Sequence, residues 1–288
     1  MSKKNQGTGK PREADRIYKR KARRRKRRLK FFRSLLLSVL FVGTLVLLAL
    51  SPLFNISSII VSGNKHYDAS EIIGVTNLVV GNNWFKTNGW DVKSILLFRS
   101  IQAEKSIKEK CHYVKKASVR LWIPNKVKIS VTERDPFAVS PYMDKYLIID
   151  KEGYILDLKD DITGLNLPCV QGLGFDGCQL GQALNAEDSR KFDIYIKVVD
   201  EIKNLDNDNV YDSSKAIFKY VNYIDVSDWD NIVLMLDSRI KVNLGNYKKI
   251  SNYRLSFLRE VFFNKLDKND KGYLDFTTGD TPSFIPEQ

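Results

Sequence analysis

The sequence predicts an α+β protein with a single N-terminal transmembrane helix, a small β-α-α-β-β domain and a second, mixed α+β domain. Three observations lead to this fold class. Residues 34–54 are 21 consecutive residues without a charge. Residues 1–33 hold 16 Lys/Arg and 2 acids, whereas the remainder is nearly balanced, with 31 bases and 32 acids. Residues 55–288 mix apolar patterns of period two with patterns of helical period, which is typical of α+β domains.

The apolar run 34–54 is long enough to cross a membrane. As a helix of 21 residues rising ~1.5 Å per residue, it spans about 30 Å, the thickness of a bilayer core. A signal peptide is the alternative, and Ala49-Leu50-Ser51 is a faint small-x-small cleavage pattern. Signal peptides have a shorter apolar region, of about 7–15 residues, and a short basic leader. We therefore interpret residues 34–54 as an anchor.

The basic residues 1–33 predict the orientation of that anchor. Arg and Lys occupy every position of 23–28, directly before the apolar run, and cationic flanks stay on the cytoplasmic side. Residues 1–33 are then a disordered cytoplasmic tail, and residues 55–288 are extracellular or periplasmic. A basic run can also contact nucleic acid. Beside a membrane span, anionic lipid is the more economical partner of the tail, and we expect no nucleic-acid function.

The first outer segment, residues 55–135, begins with a strand over 56–61 that Gly63 ends. Asp68 and Glu71 have the spacing of a capping box, and a longer helix is expected over about 91–110, with Glu104 and Lys108 as an i,i+4 pair. Residues 117–122 and 127–132 alternate apolar and polar side chains around Pro124-Asn125, which indicates a half-buried hairpin.

The second outer segment, residues 136–277, begins with a hairpin over 146–156 that turns at Gly153. A short strand is expected within 167–172, and further strands at 217–226, 231–237, 239–245 and 271–277. Helices are expected over about 186–204, and around the apolar side chains of Ile250, Tyr253, Phe257 and Val261. Residues 278–288 are predicted to be a C-terminal tail.

No catalytic, cofactor or metal site is predicted. Residues 172–177 match GxGxxG, but no helix pattern comes after them, so we expect a loop rather than a pyrophosphate site. Residues 267–278 begin like an EF-hand loop but lack its ligands at positions five and twelve. Cys111 and His112 are sequence neighbours whose side chains would point apart, so Cys111 is expected to be a buried spectator. A Cys169–Cys178 disulfide and a reduced pair both stay open.

Taken in order, the motifs resemble the FtsQ/DivIB family of bacterial cell division proteins over nearly the whole chain. After the basic tail and single span, residues 60–64 (IVSGN) and 70–72 (SEI) are similar to the start of a POTRA domain. Residues 124–129 (PNKVKI) and 133–138 (ERDPFA) resemble the hairpin and domain junction of the family, and 148–156 (IIDKEGYIL) the hairpin that opens its β domain. The stretch 86–103 is longer than the usual link between the POTRA helices.

The resemblance implies a non-enzymatic scaffold without cofactors at the division septum. Its partners would be FtsL and FtsB/DivIC-type proteins, and it would regulate the septal peptidoglycan synthesis machinery. A partner would add a strand beside the last strand of the β domain. The residues that match this edge, with two from the preceding helix, are Tyr273, Leu274, Asp275, Phe276, Thr277, Thr278, Arg254 and Leu258. The junction between the two domains would be formed by Glu133, Arg134 and Pro136, in a hinge or salt-bridge role.

Three alternatives stay open from the residues alone. The strand at 271–277 could be an ordinary edge strand packed on its helix. The chain could also be a single-pass receptor or sensor, or a membrane-anchored cell-wall enzyme. If Phe276 supplies an open edge donor, Phe276→Pro is expected to abolish partner binding and leave the domain folded.

Overall fold

The computed structural model describes residues 13–89, 91–175, 177–208, 215–279 and 281–287. Helices and strands are mixed along the chain, and the α+β class is confirmed. Contacts divide the chain into two compact units. The first comprises the chain up to Ile60 together with Asn77–Ser100 and Arg120–Lys128, and the second comprises Val61–Thr76, Ile101–Val119 and the chain from Ile129 onward. The predicted domain bounds, 55–135 and 136–277, stay a prediction.

Helix α1 (Glu13–Ala49) is longer at its start and shorter at its end than the sequence predicted. Residues 13–33 are helical rather than disordered, because Lys and Arg are good helix formers and an apolar helix already follows them. Residues 1–12 lie outside the described part of the chain. The helix ends at Ala49 rather than at 54, because the residue before Pro52 disfavours helical geometry, and Pro52–Phe54 forms a 3-10 turn instead. By length and composition, Arg23–Ala49 could cross a membrane.

The next part of the chain forms a three-stranded sheet in the order β1-β3-β2. This part of the chain contains, in order, β1 (Ser58–Ser62), α2 (Ala69–Gly74), α3 (Trp84–Asn88), α4 (Val92–Leu97), α5 (Ile101–Lys110), β2 (Val114–Trp122) and β3 (Lys126–Glu133). The expected hairpin and the capping box are confirmed, and the Asp68 N–H donates to the Glu71 carboxylate at 2.7 Å.

The expected single helix over 91–110 is instead two helices, α4 and α5. Phe98 lies between them with a φ of 48°, and its carbonyl accepts the N–H of Leu121 in β2 at 2.8 Å. This long-range bond stabilises the break. Glu104 is buried, and its carboxylate accepts the Val119 N–H at 2.8 Å. Glu104 therefore faces the sheet, whereas an i,i+4 pair with Lys108 would need Glu104 to face the solvent.

Within the described residues, nine strands form one sheet in the order β12-β11-β10-β9-β8-β7-β4-β5-β6. The strands are β4 (Pro136–Tyr142), β5 (Lys145–Asp150), β6 (Ile155–Lys159), β7 (Cys169–Gln171), β8 (Val221–Asp225), β9 (Ile232–Leu236), β10 (Ile240–Gly245), β11 (Gly272–Asp275) and β12 (Ser283–Pro286). Strand β4 was not predicted, and β12 occupies part of the expected tail 278–288.

Helices α6 (Ala186–Asp206) and α7 (Asn252–Asn264) pack on one face of this sheet and close the main hydrophobic core. In α6, which was expected over about 186–204, Phe192, Tyr195 and Val199 are buried and Ile196 is half-buried against the core. In α7 the predicted face is wrong at Tyr253, which is 61% exposed. The side chains that α7 buries begin at Arg254 and Leu255.

Candidate functional site: a sheet edge and a domain junction

The nine-stranded sheet has two edge strands, β12 and β6. At β6, the first strand residue is covered, because the Ile155 N–H donates to the Gln182 carbonyl at 2.9 Å and the Ile155 carbonyl accepts the Gly181 N–H at 2.7 Å. Strand β12 pairs with β11 on one side. Among the described residues, no strand pairs with its other side. Among the described residues, β12 and the part of β6 after Ile155 are therefore open edges, and β12 is the one beside the strand that the sequence matched to a partner.

The main-chain groups of β12 that point away from the sheet are determined by its register. Glu287, just beyond the strand, donates its N–H to the Lys271 carbonyl at 2.9 Å, and Tyr273 lies opposite Ile285. Hydrogen-bonded pairs alternate along an antiparallel ladder, so the groups of Ile285 face β11 and those of Phe284 and Pro286 face outward. Proline has no N–H. Phe284 therefore supplies the outward donor of β12, and Phe284 and Pro286 supply carbonyl acceptors.

The strand that the sequence matched to the partner edge is not an open edge. Strand β11 lies between β10 and β12, so its main-chain groups are already paired. Phe276 is fully buried and donates its N–H to the Asn243 carbonyl at 2.9 Å. Phe276→Pro would therefore break an internal hydrogen bond and the core, and it cannot serve as the expected clean test.

The other residues expected at this edge fall into two groups. Leu274 is buried in the main core, as are Arg254 and Leu258 of α7. Tyr273, Asp275, Thr277 and Thr278 are half-buried or exposed. Only this second group can contact a partner directly.

Arg254 is buried because its guanidinium has main-chain and aromatic neighbours. It donates to the Leu244 carbonyl at 2.8 Å, and its central carbon lies 5.9 Å from the centroid of the Phe276 ring. A charged group is retained in a core when it is hydrogen-bonded. Arg254 thus holds the ends of β10 and β11 beside α7, which is a positioning role.

A row of side chains crosses the open face of the sheet next to β12. The register aligns Met235 with Lys241, Lys241 with Tyr273, and Tyr273 with Ile285. Ile285 is 56% exposed. Met235, Lys241, Tyr273 and Ile285 all line a cleft of about 580 Å³. The open edge is therefore flanked by an accessible surface that is partly apolar, as strand-addition sites require for side-chain selectivity.

The sequence contains one signal for this edge, although the segment is predicted as a tail. Residues 283–286 read SFIP, a short strand-like run that ends in proline, and proline within a strand is typical of sheet edges. Four residues at a chain end are too few for periodicity to separate a strand from a tail.

Of the predicted junction residues, Arg134 is at the centre of a cluster of side chains. Its guanidinium donates to the carboxylates of Asp150 and Glu152 and lies 3.7 Å from the centroid of the Tyr154 ring. The Arg134 and Asp150 side chains are only 10% and 6% exposed. Burial by itself would lower the pKa of Arg134, but its hydrogen bonds to the two carboxylates outweigh burial and raise that pKa. The pKa of Glu152 is lowered by hydrogen bonds from Lys115 and Arg134.

Glu133 and Pro136 lie on either side of this cluster. The Glu133 carboxylate accepts the N–H groups of Lys65 at 2.8 Å and His66 at 2.6 Å, which come after β1. Pro136 begins β4 opposite Asp150, at a bulge in the β4–β5 pairing. The neighbours Glu133 and Arg134 therefore point to different partners, one in the turn after β1 and one in the hairpin after β5.

Residues that sequence motifs could suggest for chemistry occupy structural positions. Gly172 has a φ of +87° in a loop, and the next helix begins only at Ala186, so residues 172–177 do not open a phosphate-binding helix. Cys111 is buried, and burial raises the pKa of its thiol, the opposite of what a nucleophile needs. Cys169 and Cys178 are free thiols. Within the described ranges, no three His, Cys, Asp or Glu residues converge as a metal site would require.

Known proteins resemble this chain along most of its length. Residues 54–134 match the family described as POTRA domain, FtsQ-type. The chain is 27% identical to the cell division protein DivIB of Clostridium botulinum (strain Hall) over 266 residues, which cover 92% of this chain and 94% of the relative.

Two further relatives match over shorter ranges. The DivIB of Clostridium acetobutylicum is 31% identical over 156 residues, or 54% of this chain and 57% of the relative. The cell division protein FtsQ of Koribacter versatilis is 25% identical over 203 residues, or 69% and 51%. With the α+β fold, the apolar N-terminal helix and a POTRA domain followed by a β-rich domain, these matches support the resemblance of the chain to the FtsQ/DivIB family of cell division proteins.

Proposed function

We propose that this chain is a non-enzymatic scaffold of the division septum that binds other membrane proteins through the open edge of β12. The relatives named cell division proteins support the division role. The single observation that carries the scaffold proposal is that, among the described residues, no strand pairs with the outer side of β12, beside the exposed side chain of Ile285.

The proposed orientation places the basic N-terminus in the cytoplasm and everything after α1 on the outer side of the membrane. The cluster at 23–28 supports this orientation, because cationic flanks stay inside. Partners of FtsL and FtsB/DivIC type would be bound on the outer face. Through them the scaffold would regulate septal peptidoglycan synthesis.

The proposed binding mode is strand addition to β12. A partner strand would accept a hydrogen bond from the Phe284 N–H and donate to the Phe284 and Pro286 carbonyls. Its side chains on one face would lie beside Ile285 and Tyr273, at the cleft next to β12. Main-chain bonds would supply affinity, and the cleft would supply selectivity.

The test compares Phe284→Pro with Phe284→Ala in the full chain, by co-purification with the FtsB/DivIC-type protein of the same organism. Both changes remove the Phe284 side chain, which packs on the main core, but only proline removes the outward N–H. We expect proline to abolish co-purification and alanine to retain most of it. Equal binding by the two variants would place the partner elsewhere.

Localisation tests the division role separately. Immunofluorescence against the outer domains of the full chain is expected to show a midcell band before constriction begins. Uniform membrane staining throughout the cell cycle would contradict the septal role, even if β12 binds a partner.

A further inference from the structure

The uncharged helical part of α1 is shorter than a bilayer core. It runs from residue 34 to Ala49 and spans ~24 Å at ~1.5 Å per residue, against a hydrocarbon core of about 30 Å. A short span is accommodated by thinning of the bilayer or by snorkelling of flanking residues. A third way is for the residues after the helix to enter the lipid themselves. The side chains that surround the end of α1 decide which of these is available.

Exposed apolar side chains are concentrated in the compact unit that contains α1. Outside α1, eight of them are more than half exposed: Val79, Val92 and six that are here called the apolar collar, namely Leu53, Val80, Leu96, Leu97, Trp122 and Ile123. Soluble surfaces rarely gather so many large apolar groups without a partner.

Hydrogen bonds fix the first part of the collar to the end of α1. The Asn83 side-chain amide donates to the carbonyls of Ala49 at 3.0 Å and Ser51 at 3.1 Å. The Gly81 N–H donates to the Ile56 carbonyl at 2.8 Å. Val80, directly before Gly81, is therefore held beside the chain as it leaves the membrane helix.

Hydrogen bonds also connect the rest of the collar to the segment that follows α1. The Ser57 N–H donates to the Asn125 carbonyl at 2.7 Å, which holds the hairpin tip with Trp122 and Ile123 next to the exit segment. The Leu121 N–H donates to the Phe98 carbonyl at 2.8 Å, which attaches the end of α4 to the same strand. Leu96 and Leu97, at the end of α4, are thereby held beside β2.

The charge around the collar is strongly positive. Residues 51–60, 77–100 and 120–128 contain one acid, Asp91, and six bases: Lys86, Lys93, Arg99, Arg120, Lys126 and Lys128. By contrast, residues 34–288 as a whole are nearly balanced. Apolar side chains with a tryptophan, surrounded by Lys and Arg, are typical of segments that lie in a membrane interface and contact anionic headgroups.

We propose that the apolar collar is seated in the outer leaflet of the membrane that α1 crosses, with the surrounding bases on lipid phosphates. The collar fills the part of the bilayer that the uncharged part of α1 does not reach. It also holds the compact unit that contains α1 on the lipid surface. This role also accounts for the long stretch between the POTRA helices, since that stretch contains α3 and α4. The inference rests on membrane anchoring and is independent of any partner at β12.

The test uses tryptophan quenching in the full chain, reconstituted in vesicles of phosphatidylcholine and phosphatidylglycerol with or without brominated acyl chains. Bromine quenches tryptophan only on contact within the bilayer. The Trp122 signal is the difference between the unaltered chain and Trp122→Phe. The control is Trp229→Phe, because Trp229 is also exposed, at 44%, but lies in the β-rich domain. We expect brominated lipid to quench most of the Trp122 signal and little of the Trp229 signal.

A second pair of variants tests whether α4 contributes. Leu96→Gln with Leu97→Gln keeps good helix formers on an exposed face, and is expected to reduce the quenching of Trp122 at least twofold. Met143→Gln, at an 86% exposed side chain of the β-rich domain, is expected to leave it unchanged. A Trp122 signal that is equal in brominated and plain vesicles would overturn the proposal.

Discussion

The guanidinium carbon of Arg134 lies 3.7 Å from the centroid of the Tyr154 ring. The same guanidinium pairs with Asp150 and Glu152, so one side chain connects the strand end after β3 to the β5–β6 hairpin. All of these residues belong to one compact unit. We propose that Arg134, with Glu133 and Pro136, makes the POTRA–β junction a fixed connection.

Arg134→Met is expected to destabilise this connection strongly. The change leaves the buried Asp150 carboxylate without its cation, and removing one partner of a buried pair costs about 3 kcal/mol. Chemical unfolding of the full chain in detergent, followed by near-UV circular dichroism, measures the loss. Lys65→Met is the control, since the Lys65–Asp135 pair is 76% and 83% exposed and such pairs contribute at most about 1 kcal/mol. Similar losses in both variants would contradict a special role for Arg134.

Gly172→Ala is expected to destabilise the fold, whereas Gly174→Ala is not. An alanine Cβ at 172 would lie 2.3 Å from the Ser227 main-chain nitrogen, at a φ of +87°, but at 174 it would meet no atom within 4 Å. The first change is expected to cost at least about 2 kcal/mol and the second less than about 0.5 kcal/mol. Thermal unfolding of the two variants side by side measures the difference. Equal stability would mean that the loop can relax away from Ser227.

Cys169 is expected to react slowly with alkylating reagents. Burial raises the pKa of its thiol to about 11, and only the thiolate is nucleophilic. At pH 8.5 its alkylation should be on the order of a hundredfold slower than that of a free thiol with a pKa of about 8.5, and should rise about tenfold for each pH unit up to 10. Mass spectrometry of the Cys169 peptide after timed iodoacetamide treatment gives the rate. A Cys169–Cys178 disulfide in unreduced protein would contradict the free thiols of the structure.

Local signals in the sequence predicted local structure well. The capping box at Asp68 and the Gly153 turn depend on side chains and backbone preferences only a few residues apart. They can therefore be predicted from the neighbouring residues alone.

Features that depend on distant partners could not be predicted from the sequence. The break at Phe98 is stabilised by a bond to Leu121, and Arg254 is buried because a carbonyl on β10 accepts its hydrogen bond. The finding that β12, and not β11, ends the sheet has the same origin. Whether a strand is an edge depends on which strand pairs with it, and β12 is too short to show a periodic pattern.

The single outward donor of β12 also affects whether two copies of this chain can pair through their β12 strands. Two copies meeting edge to edge would need reciprocal N–H and carbonyl groups along both strands. Pro286 leaves a gap in the donors of each copy, so a symmetric pair of β12 strands would lack a hydrogen bond at two positions. A different chain with donors opposite Pro286 would suffer no such loss. The proline at the end of β12 thus disfavours pairing of two copies through β12 while leaving this edge available to a foreign strand.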